Sequence, residues 1–130
     1  MLDIKGKNAL IVGAKRVGQV VGKRLAEDGI NLAISYRSSK EEAEKLKSEA
    51  EKHSVKTALV QGDVSIEADV KNMVDQTSKE LGSLDFLIDL ASGFERTPLA
   101  TLDEQKWESA FMDAKGSYLL SVYASRQMMI

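Results

Sequence analysis

The 130-residue chain carries 18 basic and 20 acidic side chains, and its formal charge of -2 offers no general attraction to nucleic acid or an anionic membrane. Without cysteine it has neither a disulfide framework nor a thiol nucleophile, and a lone histidine, His53 in a lysine- and glutamate-rich stretch, argues against a metal site. A hydrophobic content of 43% over 1–130 describes one domain able to bury roughly two-thirds of its unfolded surface, and no run approaches ~20 apolar residues.

The start, MLDIKGKN, has no secretory apolar core, so a cytoplasmic location is expected. Ala9 to Val12 is a short apolar run that stops at Gly13. A basic turn follows to Gly18, and Val17, Val20, Val21 and Leu25 then recur at helical spacing. The stretch reads as strand, turn and helix. A strand buried on both faces is continuously hydrophobic, and a helix opening directly after it presents free N–H groups at the strand's carboxyl end. Together with the helix dipole these donors suit a phosphate, although a tight turn alone gives the same pattern.

Gly29 terminates this helix, and Ile30–Ser35 is a second strand. Ser39 with Glu42 fits a capping box opening a charged helix whose apolar stripe is Ala43, Leu46 and Ala50. Val55–Gln61 is a third strand. Asp63-Val64-Ser65 leads, with Ser65 as the expected cap, into a helix burying Val70, Met73 and Val74 and ending at Gly82. Leu84–Leu90 is a fourth strand. After a loop containing the only proline, Pro98, Thr101 and Glu104 suggest another capping box, opening a helix that continues past Gly116. Repeated strand and helix units imply right-handed crossovers and a parallel sheet with helices on both faces, an α/β three-layer architecture.

The turn GAKRVG, the YRSS after the second strand, the GDVS after the third and the LASG after the fourth stand in the order found in the short-chain dehydrogenase/reductase family. The chain resembles the amino-terminal half of that family, in its 3-oxoacyl-carrier-protein-reductase-like or pteridine-reductase-like branches. Residues Ser92-Gly93-Phe94-Glu95-Arg96-Thr97-Pro98-Leu99 add to the likeness. The resemblance implies a Rossmann-type sheet in the order 3-2-1-4, cut before a fifth strand, and hydride transfer between NAD(P)(H) and a carbonyl or alcohol.

Carried over position by position, Val12 stands where the family has threonine, Gly13 matches, and the turn is one residue shorter before Gly18 matches again. Lys15, Arg16 and Val17 fill that turn. The strand following the first helix ends in Tyr36-Arg37-Ser38-Ser39, with no acidic residue until Glu41. Carboxylates at this place bind the adenosine ribose, whereas arginine accommodates a 2'-phosphate, so Arg37 with Lys15 and Arg16 points to NADP(H) over NAD(H). Asp63 and Val64 match the family's adenine-contacting pair. Asp63 also reads as a turn residue, and the two readings are compatible.

Where the family has Asn-Asn-Ala-Gly, this chain has Asp89-Leu90-Ala91-Ser92, followed by Gly93. An ionised aspartate only accepts hydrogen bonds and leucine makes none, which weakens the usual connection from sheet to ribose. The family's catalytic tyrosine, lysine and serine lie beyond a fifth strand, past Ile130. Tyr36 and Lys40 have the literal Tyr-x-x-x-Lys spacing but fall at the adenosine end. Of the family's catalytic set only its asparagine has a counterpart, Asp113, which supplies an acceptor alone.

Trp107, Phe111, Tyr118, Leu119, Val122 and Tyr123 form a buried or partner-facing stripe, and Met128, Met129 and Ile130 add an apolar end. An uncovered fourth strand and this flank predict a homo-oligomer. The reading from sequence is therefore the NADP(H)-binding portion of a reductase that takes a small carbonyl substrate when completed, inactive alone. The alternative is a non-catalytic dinucleotide-binding or interaction module keeping the fold.

Overall fold

A computed structural model describes residues 2–93 and 96–130; Phe94 and Glu95 of the loop motif lie outside the described residues. In chain order the elements are β1 (Asn8–Val12), α1 (Val17–Glu27), β2 (Asn31–Tyr36), α2 (Lys40–Glu51), β3 (Thr57–Gln61), α3 (Glu67–Leu81), β4 (Phe86–Asp89), a 3-10 turn (Leu99–Thr101) and α4 (Glu104–Met128). The sheet order is β3-β2-β1-β4 and every pairing is parallel. β1 gains Asn8, β2 is shifted by one residue to end at Tyr36, and β3 and β4 are shorter than Val55–Gln61 and Leu84–Leu90, with Ile30 and Leu84 buried outside the hydrogen-bonded ladder.

Alternation along β1 divides the interior into two layers. Leu10 and Val12 pack with α3 and α4, whereas Ala9 and Ile11 pack with α1 and α2. The same parity sends Leu32 and Ile34 of β2 to the α1/α2 side and Ala33 to the other. Each large apolar side chain removed from water contributes about 1.5–3 kcal/mol, so this central strand pair anchors both layers. At the amino ends of the strands, buried Asn8 donates through Nδ2 to the Leu81 carbonyl and Ser83 Oγ, and its Oδ1 accepts from Asn31 Nδ2 at 2.8 Å. That network gives a buried polar side chain its partners and joins β1 to β2 and to the end of α3.

The helix faces depart in part from the periodic reading. On α2 and α3 the expected residues are buried: Ala43, Leu46 and Ala50 on one, Val70, Met73 and Val74 on the other. On α1, however, Val17 and Val20 are exposed, and the buried positions are Gly18, Gly22 and Ala26. The reason is proximity. A Cβ on Gly22 would lie 2.6 Å from Leu46 Cδ2, so α1 sets its glycine against α2 and turns Val17 and Val20 away, while Val21 and Leu25 pack half-buried on the core. The α4 stripe is also divided: Leu119 is buried with Leu120 and Ala124, Val122 and Tyr123 are half-buried, and Trp107, Phe111 and Tyr118 are exposed. Tyr123 Oη donates to Glu67 Oε1 at 2.9 Å, and that bond, more than burial, raises the phenol's pKa.

Gly82 ends α3 at φ +101, a left-handed C-terminus that glycine adopts without steric cost. The capping expectations require correction. Ser39 occupies the position before α2 but makes no side-chain cap bond. Ser65 does not cap α3, which begins after Ile66; its hydroxyl donates to Asp63 instead. Thr101 lies in the 3-10 turn, and the cap of α4 is Asp103, whose carboxylate accepts from the Lys106 N–H at 2.9 Å. A short carboxylate directly before the first helical residue reaches that donor, while Thr101 is held by the Pro98 carbonyl.

Candidate functional site

At the carboxyl ends of the strands the turns converge on one cavity of about 780 Å³. Gly13, Lys15, Arg16, Val17 and Gly18 line it from the β1–α1 turn, Tyr36, Arg37 and Ser38 from the end of β2, Asp63 and Val64 from the end of β3. Ala91, Ser92 and Gly93 line it after β4, and Asp113 reaches it from α4. The residues assigned from the sequence to cofactor binding, together with Asp113, thus surround one space, whereas Asp89 and Lys40 do not line it. Val12, Ala14, Ser35, Ser39, Glu42, Gly62 and Leu90 also line it, although the sequence reading did not assign them to cofactor binding. Glu42 carried a signal, since one turn into a helix that starts at the sheet's carboxyl end places a side chain near the opening.

The glycine turn is built by close backbone approach. Gly13 has φ +99, and a Cβ there would lie 2.9 Å from the Leu90 carbonyl carbon and oxygen. A Cβ on Gly18 would overlap the Gly13 carbonyl oxygen. The shortened turn closes by placing Arg16 at φ 45, where a side chain is sterically disfavoured. Gln19 braces it: its Nε2 donates to the Ala14 carbonyl at 2.6 Å and to the Glu42 carbonyl at 2.7 Å. Gly18 and Gln19 N–H groups are taken by the Lys15 and Arg16 carbonyls. Among the described residues, no hydrogen bond takes the N–H groups of Ala14, Lys15, Arg16 or Val17. A run of open amides beside three cations is suited to an anion.

At the β2–β3 side, Asp63 accepts from the Ser65 N–H at 2.9 Å and Ser65 Oγ at 2.7 Å. Its Oδ2 lies 3.8 Å from the Arg37 guanidinium. The two Ser65 bonds, with the Arg37 and Lys115 charges adding, hold its carboxyl below the ordinary value. Arg37 remains largely exposed, with its charge at the cavity rim.

At the β4 side, Asp89 accepts from the Ala91 N–H at 3.2 Å and from Ser117 Oγ at 2.7 Å. Asp113 Oδ2 accepts from the Gly93 N–H at 3.1 Å. Two carboxylates, one from β4 and one from α4, therefore hold the start of the loop after β4. Tyr36 and Lys40 form no catalytic pair: Tyr36 ends β2 and Lys40 Nζ lies 3.7 Å from Glu44. Among the described residues no group of three or more metal-ligating side chains is gathered, and no helix is long and apolar enough to cross a membrane.

Parallel strands in the order 3-2-1-4, covered by helices and opening to a cavity at their carboxyl ends, define a Rossmann-like α/β fold. The sequence profile of the short chain dehydrogenase family matches residues 7–130, and the chain belongs to that family. It is 33% identical over 125 residues to 3-oxoacyl-(acyl-carrier-protein) reductase FabG of Staphylococcus aureus strain Mu50, covering 95% of this chain and 51% of that relative. General stress protein 39 of Bacillus subtilis is also 33% identical, with coverage of 95% and 43%. Among solved structures, a short chain dehydrogenase from Burkholderia cenocepacia J2315 in complex with NADP superposes with a TM-score of 0.90 at 28% identity. That alignment covers 98% of this chain and 53% of the other. The chain spans about half the length of the curated relatives it matches, and the likeness is to the amino-terminal half of the FabG-like branch.

Proposed function

We propose that the chain binds NADP(H), in preference to NAD(H), as the cofactor-binding portion of an oxidoreductase acting on a carbonyl and alcohol pair. The observation that carries this reading is the cavity itself: open amides at the start of α1, with Lys15, Arg16 and Arg37 on the same rim. Its volume is within the range that holds a cofactor. Glycine at 13 and 18 is required first by backbone packing, which brings the amides to the opening without side chains in the way.

In this assignment the Ala14–Gly18 turn receives the pyrophosphate, and Arg37 with Lys15 and Arg16 pairs with the 2'-phosphate. Asp63 and Val64 flank the adenine, while Ala91, Ser92 and Gly93 let the second nucleoside approach the sheet. Bound there, the dinucleotide supplies or accepts hydride. The proton that accompanies it needs a donor within hydrogen-bond reach of the substrate oxygen, and neither Tyr36 nor Lys40 lies at that end. Asp113 is the one member of the family's catalytic set with a counterpart here, and it acts as an acceptor toward the Gly93 amide. Turnover on a small carbonyl substrate therefore depends on residues outside these 130, and the exposed aromatic side of α4 is where a second copy or further chain would pack.

Titrating the 130-residue chain into NADPH while following nicotinamide fluorescence tests the assignment. Saturable binding that is tighter for NADPH than for NADH is the expected result. Equal and negligible binding of both favours the non-catalytic module.

A further inference from the structure

We infer that the Asp113 carboxylate makes this cavity select the oxidised dinucleotide over the reduced one, an inference that rests on the dinucleotide assignment above. The two ends of the cavity differ in charge. Lys15, Arg16 and Arg37 crowd the end beside β2, whereas the wall after β4 carries Asp113. With a phosphate at the α1 opening and the adenosine half directed to Arg37, the remaining half extends along Ala91–Gly93 toward Asp113. Oxidised and reduced dinucleotides are alike in their phosphates and adenosine. They differ at the nicotinamide ring, which is cationic when oxidised and neutral when reduced. The change that a substitution at that end makes in the ratio of their affinities therefore reports the electrostatic potential there, the shape difference between the rings being common to both variants.

Two carboxylates add negative potential at that wall. Asp113 is tethered to the cavity wall through the Gly93 N–H, so its charge does not swing away into solvent. Asp89 stands behind the same loop with a second negative charge, its oxygens bonded to Ala91 and Ser117. The neighbouring cation on α4, Lys115, acts on Asp63 at the other side, and Glu42 and Asp63 lie with the cationic rim. An asparagine at position 113 offers the same acceptor to Gly93 without the charge. Asp113 is thus a selectivity residue: it holds the loop as asparagine can, and adds a field that favours a cationic ring.

Isothermal titration of NADP⁺ and NADPH against the wild-type 130-residue chain and Asp113→Asn, at low and high ionic strength, tests this. The expected result is that Asp113→Asn weakens NADP⁺ about three- to tenfold and leaves NADPH within about twofold, the size of a partly screened unit-charge interaction. Because the carboxylate is exposed, the wild-type preference for NADP⁺ should shrink as salt rises, which a merely structural brace would not do. Equal weakening of both forms, or an unchanged ratio, overturns the inference while leaving the dinucleotide assignment intact. If the wild-type chain binds neither form, the assignment itself fails and this inference with it. A circular dichroism melt of Asp113→Asn that matches wild type ties the change in ratio to charge rather than to lost structure.

Discussion

The two ends of the cavity are built by opposite means. At the β1–α1 end, backbone meets backbone: Gly13 abuts the Leu90 carbonyl, Gly18 abuts the Gly13 carbonyl, and an added methyl group has no room. After β4 the loop is held by side chains, Asp89 and Asp113, and a Cβ on Gly93 would meet only Asp113 Oδ2 at 3.6 Å. Backbone packing of the first kind makes geometry costly to change. Side-chain bracing of the second kind leaves charge and shape open to substitution at little cost in stability.

The largest effect that breaks this comparison is Gly18→Ala, expected to cost about 3 kcal/mol or more because the obstructing atom is backbone and cannot rotate away. Gly93→Ala, its counterpart, should cost less than about 1 kcal/mol; the shift in urea midpoint between the two variants measures the contrast. Arg37→Ala should come next, weakening NADPH by about 10- to 100-fold through loss of a charge-assisted contact, with NADH nearly unaffected. Parallel fluorescence titrations with the two nucleotides decide that.

Smaller again is Arg16→Gly. Relieving a side chain held at φ 45 should stabilise the fold by about 1 kcal/mol, read as a rise in melting temperature, while removing one cation weakens NADPH. The smallest effect concerns acid. Asp63's folded pKa is lowered, chiefly by Ser65, so its stabilising contribution is complete above the unfolded value near 3.8 and fades as pH falls through the folded one. Ser65→Ala should move the Asp63 midpoint upward in a carboxyl-carbon NMR titration and narrow that acid window. An unmoved midpoint would show that the Ser65 N–H and the Arg37 and Lys115 charges, not the Ser65 hydroxyl, dominate.

Much of the site was legible because its signals are local. Gly13 and Gly18 are separated by one turn, Arg37 follows β2 directly, and a 3-2-1-4 parallel sheet brings the ends of all its strands together. Faces and caps were harder. Val17 and Val20 repeat at helical spacing as core residues do, yet Leu46 of another helix occupies the space over Gly22 and turns them outward. Asp103 rather than Thr101 caps α4, a shift of two residues that depends on where Pro98 holds the preceding turn.

From its residues alone the chain determined the order and type of its elements, since continuous apolar runs, glycine stops and helical spacing act over a few positions. It also determined that cations would gather after β1 and β2. What only the tertiary structure decided is which neighbour each side chain meets. Val17 and Val20 of α1 face water, Arg16 takes a left-handed backbone to close a shortened turn, Asn8 joins two strands to a helix end, and Asp113 comes within 3.1 Å of the Gly93 amide. Those outcomes depend on distances between segments far apart in the chain, which periodicity along one segment does not encode.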